Sequence, residues 1–204
     1  SAVRDLVQPG WIAYDVGANI GYVTLLLARA VGLEGRVFAF EALPANLHRL
    51  RLNVKLNSMN PMVTIVPKAV TQISGSVRFL VGPSVGTGKA EGSAGRRLEY
   101  ADVIEVSSIS LDEFIFEDRH PAPQVVKMDI EGGEVLALPG MRSLLEEIHP
   151  LLFLELHGRE SARVAWDMLH EVGYRILHMR SGYPLVRSFE TLDWKSYLVA
   201  LYSE

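Results

Sequence analysis

Two clusters in this 204-residue sequence carry residue types at spacings that could do chemistry. The first is Asp15-Val16-Gly17-Ala18-Asn19-Ile20-Gly21. Glycines at 17 and 21 let a backbone approach a ligand closely, where a side chain would block it. The N–H groups that open a following helix can hold a carboxylate. A dinucleotide fingerprint needs glycine at its first, third and sixth positions, to pass a pyrophosphate. Counted from Gly17, the other two positions are Asn19 and Tyr22, so that match fails. A ligand with a carboxylate and an ammonium suits the observed Asp and Asn better. Glu41, twenty residues beyond Gly21, can accept both hydroxyls of a ribose. No arginine is paired with it to take a 2′-phosphate.

The second cluster is Asp129, Glu131 and Glu134, within Lys127–Glu134. Three carboxylates so close repel one another unless something cationic is near. A sulfonium would serve, and so would a divalent metal such as magnesium or calcium. Further along lies His157, whose ordinary pKa suits proton removal near neutrality. It is the candidate general base, and Glu155, two residues earlier on the same strand face, can orient it. Asp129, Glu131 and His157 could instead form a metal cluster. Glu134 reads as a first-turn helix residue, where the macrodipole favours an acid.

These residues have to be held by alternating short strands and amphipathic helices, the pattern of parallel βαβ units. Strands are expected at Trp11–Val16, Arg36–Glu41, Val63–Val66, Gln124–Asp129 and Leu151–Leu156, with helices over Ile20–Val31, after Pro44, over Gly133–Glu147 and over Ser161–Val172. Strands at Tyr174–His178 and Tyr197–Tyr202 complete the expected pattern. Ser76–Val81 and Val103–Ser107 read as strands around Gly82–Gly95, a segment taken as a solvated loop or a lid over an acceptor. Ser110 to Glu113 is a capping box opening a short helix, Leu111–Phe116. The strand-to-helix loops at one sheet edge are where open α/β sheets bind ligands.

The composition bounds the rest. Hydrophobic residues make up 49% and charged residues 22%, which suits one globular domain. The net charge of −4 gives no global attraction to nucleic acid or anionic membrane. Arg96-Arg97 reads as a solvated turn. With no cysteine, disulfides, thiolate zinc sites and a cysteine nucleophile are excluded, and a cytoplasmic location fits. No apolar run is long enough to span a bilayer. The chain starts at Ser1, as an excised or processed fragment would.

Taken in order, DVGANIG, FAFEALPAN, VVKMDIEGGE and LLFLELHG resemble the FkbM-type methyltransferases, from about Gly10 to the last strand. The VSSISLDEFI stretch fits as well. The resemblance implies a Rossmann-like α/β fold: a mostly parallel central sheet, helices on both faces and an antiparallel C-terminal strand. It implies S-adenosylmethionine as cofactor and O-methylation of a small-molecule or sugar hydroxyl. Carried over by position, Asp15, Gly17, Ala18, Asn19 and Gly21 would line the methionine half of the cofactor. Glu41 would hold the ribose, with Ala42 and Leu43 beside the adenine and Ala69 and Val70 on its other face. Asp129 and Glu131 would face the methyl-transfer centre. Helical elements that often precede the first strand in such enzymes are nearly missing. The rival readings are a non-catalytic domain of the same fold and a nicotinamide-dependent oxidoreductase.

Overall fold

The structure, a computed structural model, describes residues 2–83, 87–95 and 99–203. Arg96, Arg97 and part of the Gly82–Gly95 segment therefore lie outside the described residues. A short helix α1 (Ala2–Leu6) leads into β1 (Ile12–Val16), and α2 (Tyr22–Val31) returns the chain to β2 (Arg36–Phe40). Helix α3 (Pro44–Leu56) starts with proline at a position whose N–H has no helical partner anyway, and β3 (Val63–Val66) follows. The middle of the chain forms β4 (Ala69–Val70), β5 (Gly75–Val81), β6 (Gly88–Ala90) and β7 (Asp102–Ile109). The alternation then resumes with β8 (Val125–Met128), α4 (Glu134–Ala137), α5 (Arg142–Glu147), β9 (Leu151–His157), α6 (Arg159–Val172), β10 (Tyr174–His178) and β11 (Lys195–Tyr202).

The main sheet runs β10-β11-β9-β8-β1-β2-β3. Its five strands from β9 to β3 pair in parallel, while β11 lies antiparallel between β9 and β10. Strand alternation splits the interior in two. Tyr14, Val16, Phe38, Phe40, Val126 and Leu152 face a core shared with α4, α5 and α6. Ala13, Val37, Ala39, Val125 and Phe153 face a second core with α2 and α3. Helices thus cover both faces, as parallel strands buried on both sides require.

The order reverses where β1 meets β2 on one side and β8 on the other. Open α/β sheets bind ligands at such a switch point, outside the carboxyl ends of the strands. That is where the Asp15–Gly21 loop and the Asp129–Glu134 turn come together.

Three local expectations need correction. The Gly82–Gly95 segment is not wholly loop, because β6 pairs antiparallel with β5 in a second sheet ordered β4-β7-β5-β6. Gly88 allows this pairing, since a Cβ there would press on the Phe79 ring at 2.6 Å. The helix expected over Gly133–Glu147 is broken at Leu138–Met141, where Pro139 lacks an N–H and Gly140 packs directly on the Thr71 backbone. Ser110 does cap the next turn, its Oγ accepting from Glu113 N–H at 3.1 Å, but Glu113–Glu117 widens into a π-type turn. No helix among the described residues is long and apolar enough to cross a membrane.

Candidate functional site

The loop after β1 is tied to the end of β2 by its own backbone. The N–H groups of Gly17 and Ala18 both donate to the Phe40 carbonyl, at 3.0 and 2.9 Å. This turns Asn19 into the left-handed region at φ 51°, which asparagine tolerates better than most residues. The Asn19 N–H then donates to Glu41 Oε2 at 2.8 Å, and the Leu43 N–H donates to Glu41 Oε1 at 2.8 Å. Glu41 is buried, and burial lifts its pKa above the usual range against the lowering effect of these bonds and of the Asn46 side chain. Its two oxygens have about four lone-pair directions, so the backbone bonds leave acceptor capacity over.

These elements border a cavity of about 360 Å³, within the ~300–1,000 Å³ span of small-molecule sites. Gly17, Ala18, Asn19, Glu41, Ala42, Leu43, Ala69, Val70, Asp129 and Glu131 all line it. Asp15 and Gly21 do not. Asp15 is fully buried beneath the loop, where Thr24 Oγ1 donates to Oδ2 at 2.6 Å and Lys127 Nζ lies 3.1 Å from Oδ1. Gly21 is required by packing, because a Cβ there would sit 2.6 Å from Leu50 Cδ1 at φ 97°. Gly17 likewise serves a chain crossing, since a Cβ there would overlap the Asp129 carbonyl oxygen. The glycines that sequence reasoning gave to ligand approach are held in place by protein neighbours.

Several lining residues were missed. Lys127 bridges the two clusters: besides pairing with Asp15, its Nζ donates to the Gly17 carbonyl at 2.9 Å. Burial lowers its pKa, but Asp15 and Asp129 more than reverse this and the net shift is upward. Its signal was faint, the odd–odd spacing with Asp129 that puts both on one strand face; the register opposite Asp15 was invisible. Phe79 floors the end of the cavity near Leu43 and Ala69, in a small apolar cluster of its own. Lys89, on β6, is buried at the rim and donates to the Ala94 carbonyl at 2.6 Å.

Beyond this rim lies a second cavity of about 450 Å³, lined by Pro83, Tyr100, His157, Trp194 and Lys195 among others. Glu131 lines both cavities, together with Thr87, Gly88 and Lys89. Among the described residues it is the one acid that does. Glu131 is also held at φ 55°, a left-handed conformation that carries strain for a residue other than glycine. Trp194 therefore lies where an aromatic face could meet an acceptor. Tyr183, which lines neither cavity, donates its hydroxyl to Asp5 at 2.9 Å.

His157 closes the arrangement, with Nε2 at 3.3 Å from Glu155, 3.7 Å from Glu131 and 4.0 Å from Asp129, and Nδ1 at 3.5 Å from Glu134. The expected pKa near neutrality is not what this setting produces. Burial pulls the imidazole down, but the carboxylates of Glu134 and Glu155 outweigh it and push the ring up to about 10. At neutral pH the ring is therefore a cation rather than a proton acceptor. Asp129 moves the other way, because burial outweighs Lys127 and raises its carboxyl to about 6. The candidate metal set also changes. Asp129, Glu155 and His157 have ligand atoms within 4.8 Å of one another, with Glu155 replacing Glu131. Glu155 is in very close ion contact with Lys195, and its pKa is lowered although burial opposes the shift.

A parallel sheet of this order with a switch-point cavity is the fold of S-adenosylmethionine-dependent methyltransferases. The structure superposes on the FkbM methyltransferase from Methylobacillus flagellatus KT with a TM-score of 0.61 at 20% identity, covering 94% of this chain and 43% of that one. It superposes on a SAM-dependent O-methyltransferase from Thermotoga maritima with a TM-score of 0.55 at 13% identity, covering 97% and 62%. In sequence, residues 15–176 match the methyltransferase FkbM domain, and this chain belongs to that family. A curated relative, the hexuronic acid methyltransferase AglP of Haloferax volcanii, is 28% identical over 162 residues. That alignment covers 78% of this chain and 62% of the relative, so the chain spans less than two thirds of that protein's length.

The cofactor of this family is S-adenosylmethionine, and the residues present fit it. A buried anion with acceptor capacity left over, Glu41, suits two ribose hydroxyls. An apolar end at Leu43, Val70 and Phe79 suits a purine. The first turn of α2, whose N–H groups have no helical acceptor, suits a carboxylate.

Proposed function

We propose that this chain transfers a methyl group from S-adenosylmethionine to a hydroxyl oxygen of a small acceptor, a sugar first among the candidates. The observation that carries the reading is the meeting of two cavities at Glu131. The first has the donor set for an adenosyl amino acid. The second has Trp194 and Tyr100 on its walls, flat surfaces of the kind on which a sugar's C–H face can rest. The relative that acts on a hexuronic acid supports the choice of a sugar.

When bound, the cofactor supplies a methyl group on a sulfonium sulfur, with the leaving group built in. The protein then has to align the acceptor oxygen with that carbon and exclude water. Glu41 and the Gly17–Asn19 loop fix the cofactor end. Trp194 and the β6 rim fix the acceptor end. As the new O–C bond forms the acceptor hydroxyl becomes acidic, and Glu131 receives its proton. Asp129 adds negative charge beside it. His157, as a cation among four carboxylates, keeps this acidic wall from repelling itself apart.

Glu131→Gln tests the assignment. With a panel of sugars and uronic acids and a radiolabelled methyl donor, turnover falls by roughly 100-fold or more while cofactor affinity stays the same. Full turnover in that variant would remove Glu131 from the reaction. A wild-type chain that binds the cofactor yet labels no hydroxyl compound would sink the acceptor class.

A further inference from the structure

We propose that Asp129, Glu155 and His157 form a binding site for a divalent first-row cation, such as Mn²⁺ or Zn²⁺, in the wall between the two cavities. The three come from the ends of β8 and β9, adjacent parallel strands, and their ligand atoms lie within 4.8 Å of one another. His157 Nε2 is 3.3 Å from Glu155 Oε1 and 4.0 Å from Asp129 Oδ1. Ligands sharing one ion at about 2.1 Å stand roughly 3–4 Å apart, so little movement is needed to close around it.

An acidic cluster would not suffice. The independent observation is His157, whose side chain is only 8% exposed and whose two ring nitrogens have no aligned hydrogen-bond partner among the described residues. Buried polar nitrogens are nearly always satisfied, yet in the ion-free chain this ring is held only by ion pairs at 3.3–4.0 Å; a bound ion displaces the Nε2 proton and takes over the balancing of these carboxylates. Its Nε2 is turned toward Asp129, Glu131 and Glu155. Its Nδ1 is turned toward Glu134, a fully buried carboxylate whose Oε2 is also without an aligned partner. A carboxylate that takes the Nδ1–H and leaves Nε2 for an ion is the usual outer shell of a metal-binding histidine. A set of one imidazole and two carboxylates suits manganese or zinc better than magnesium or calcium, which take oxygen alone.

Lys195 is the rival cation, since it closes on Glu155. Its side chain is 44% exposed and can swing into solvent. Glu131, 57% exposed, stays outside the ligand set and keeps its place between the cavities. The site does not depend on the chain being a methyltransferase.

The experiment is a titration of the full chain with Mn²⁺, without cofactor, followed by the paramagnetic resonance signal of the free ion. The chain takes up about one ion, and pulsed spectra show ¹⁴N coupling from one imidazole. Glu155→Gln and His157→Gln each weaken binding roughly 10- to 100-fold. Lys195→Gln, on an exposed side chain that leaves the fold intact, tightens it about threefold by removing the competitor. A free-ion signal equal to that of buffer alone up to millimolar Mn²⁺, absent nitrogen coupling, or affinity unchanged in His157→Gln would each overturn the site.

Discussion

Replacing Glu41 with glutamine exchanges one oxygen for an NH₂ group and isolates the charge at the wall of the first cavity. In the wild-type chain one carboxylate accepts the Asn19 and Leu43 N–H groups, each at 2.8 Å, and keeps lone pairs for a ligand. An amide has one oxygen and one NH₂, so it satisfies one of those N–H groups and presents a donor to the other. Hydrogen bonds to a charged group contribute about 1.5–3 kcal/mol, against 0.5–1.5 kcal/mol for neutral pairs. The difference, about 1–1.5 kcal/mol for each of two ribose hydroxyls, therefore weakens cofactor binding by roughly 30- to 150-fold, at about 1.4 kcal/mol per decade. Glu41→Ala removes the acceptor altogether and falls at or beyond the weak end of that range. The assay is calorimetric titration with S-adenosylhomocysteine, which binds without reacting. Wild-type affinity in either variant, in protein shown to be folded, would refute the ribose assignment and the reasoning about charge behind it.

Further outcomes follow from the same geometry. His157→Ala lowers turnover by roughly 10- to 100-fold, because the cation that balances the carboxylates around Glu131 is lost, and leaves cofactor affinity unchanged, because His157 lines the second cavity and not the first; equal kcat would take the ring out of the mechanism. Gly17→Ala destabilises the chain by about 3 kcal/mol or more and lowers Tm by roughly 6–12 °C, since its Cβ meets the Asp129 carbonyl at a positive φ. Gly10→Ala, at φ 82° with open space around it, loses only about 1–2 kcal/mol, and equal losses at the two sites would contradict the chain-crossing account. Burial raises the pKa of Glu41, so its stabilising contribution is complete below the ordinary carboxylate range and is lost as pH rises through the raised value. Glu41→Gln lacks this titration, so its stability gains on wild type between mildly acidic and neutral pH in denaturant melts. A difference that shrinks with pH would mean the carboxyl is not held up by its burial.

The parallel frame was legible because β1, β2, β8 and β9 are each a short apolar run followed by a helix. Asn19 and Glu41, which line the first cavity, stood out for a related reason. Asn19 and Glu41 are polar residues at strand ends, where a folded core has no use for them. Pairings made across distant segments were hidden. Asp15 reads as a ligand contact in sequence, but only the register of β1 against β8 reveals that Lys127 neutralises it underground. The β6 strand is only three residues long, Gly88-Lys89-Ala90, so no periodicity exposed it, and with it went Lys89. His157 stood out in the sequence, but the upward pull of its carboxylate neighbours on its pKa did not. A histidine's pKa depends on neighbours from three elements, and Glu134 reads as a helix-start residue until α4 is seen to bury it against the ring.

The whole account rests on where the adenosyl amino acid sits. A crystal structure of the chain with S-adenosylhomocysteine measures this directly. The ribose is expected on the Glu41 carboxylate, the amino-acid moiety along Gly17–Asn19, and the sulfur turned toward Glu131 and the second cavity. Density for the ligand against Trp194 instead, or an adenine lying away from Leu43 and Phe79, would contradict it.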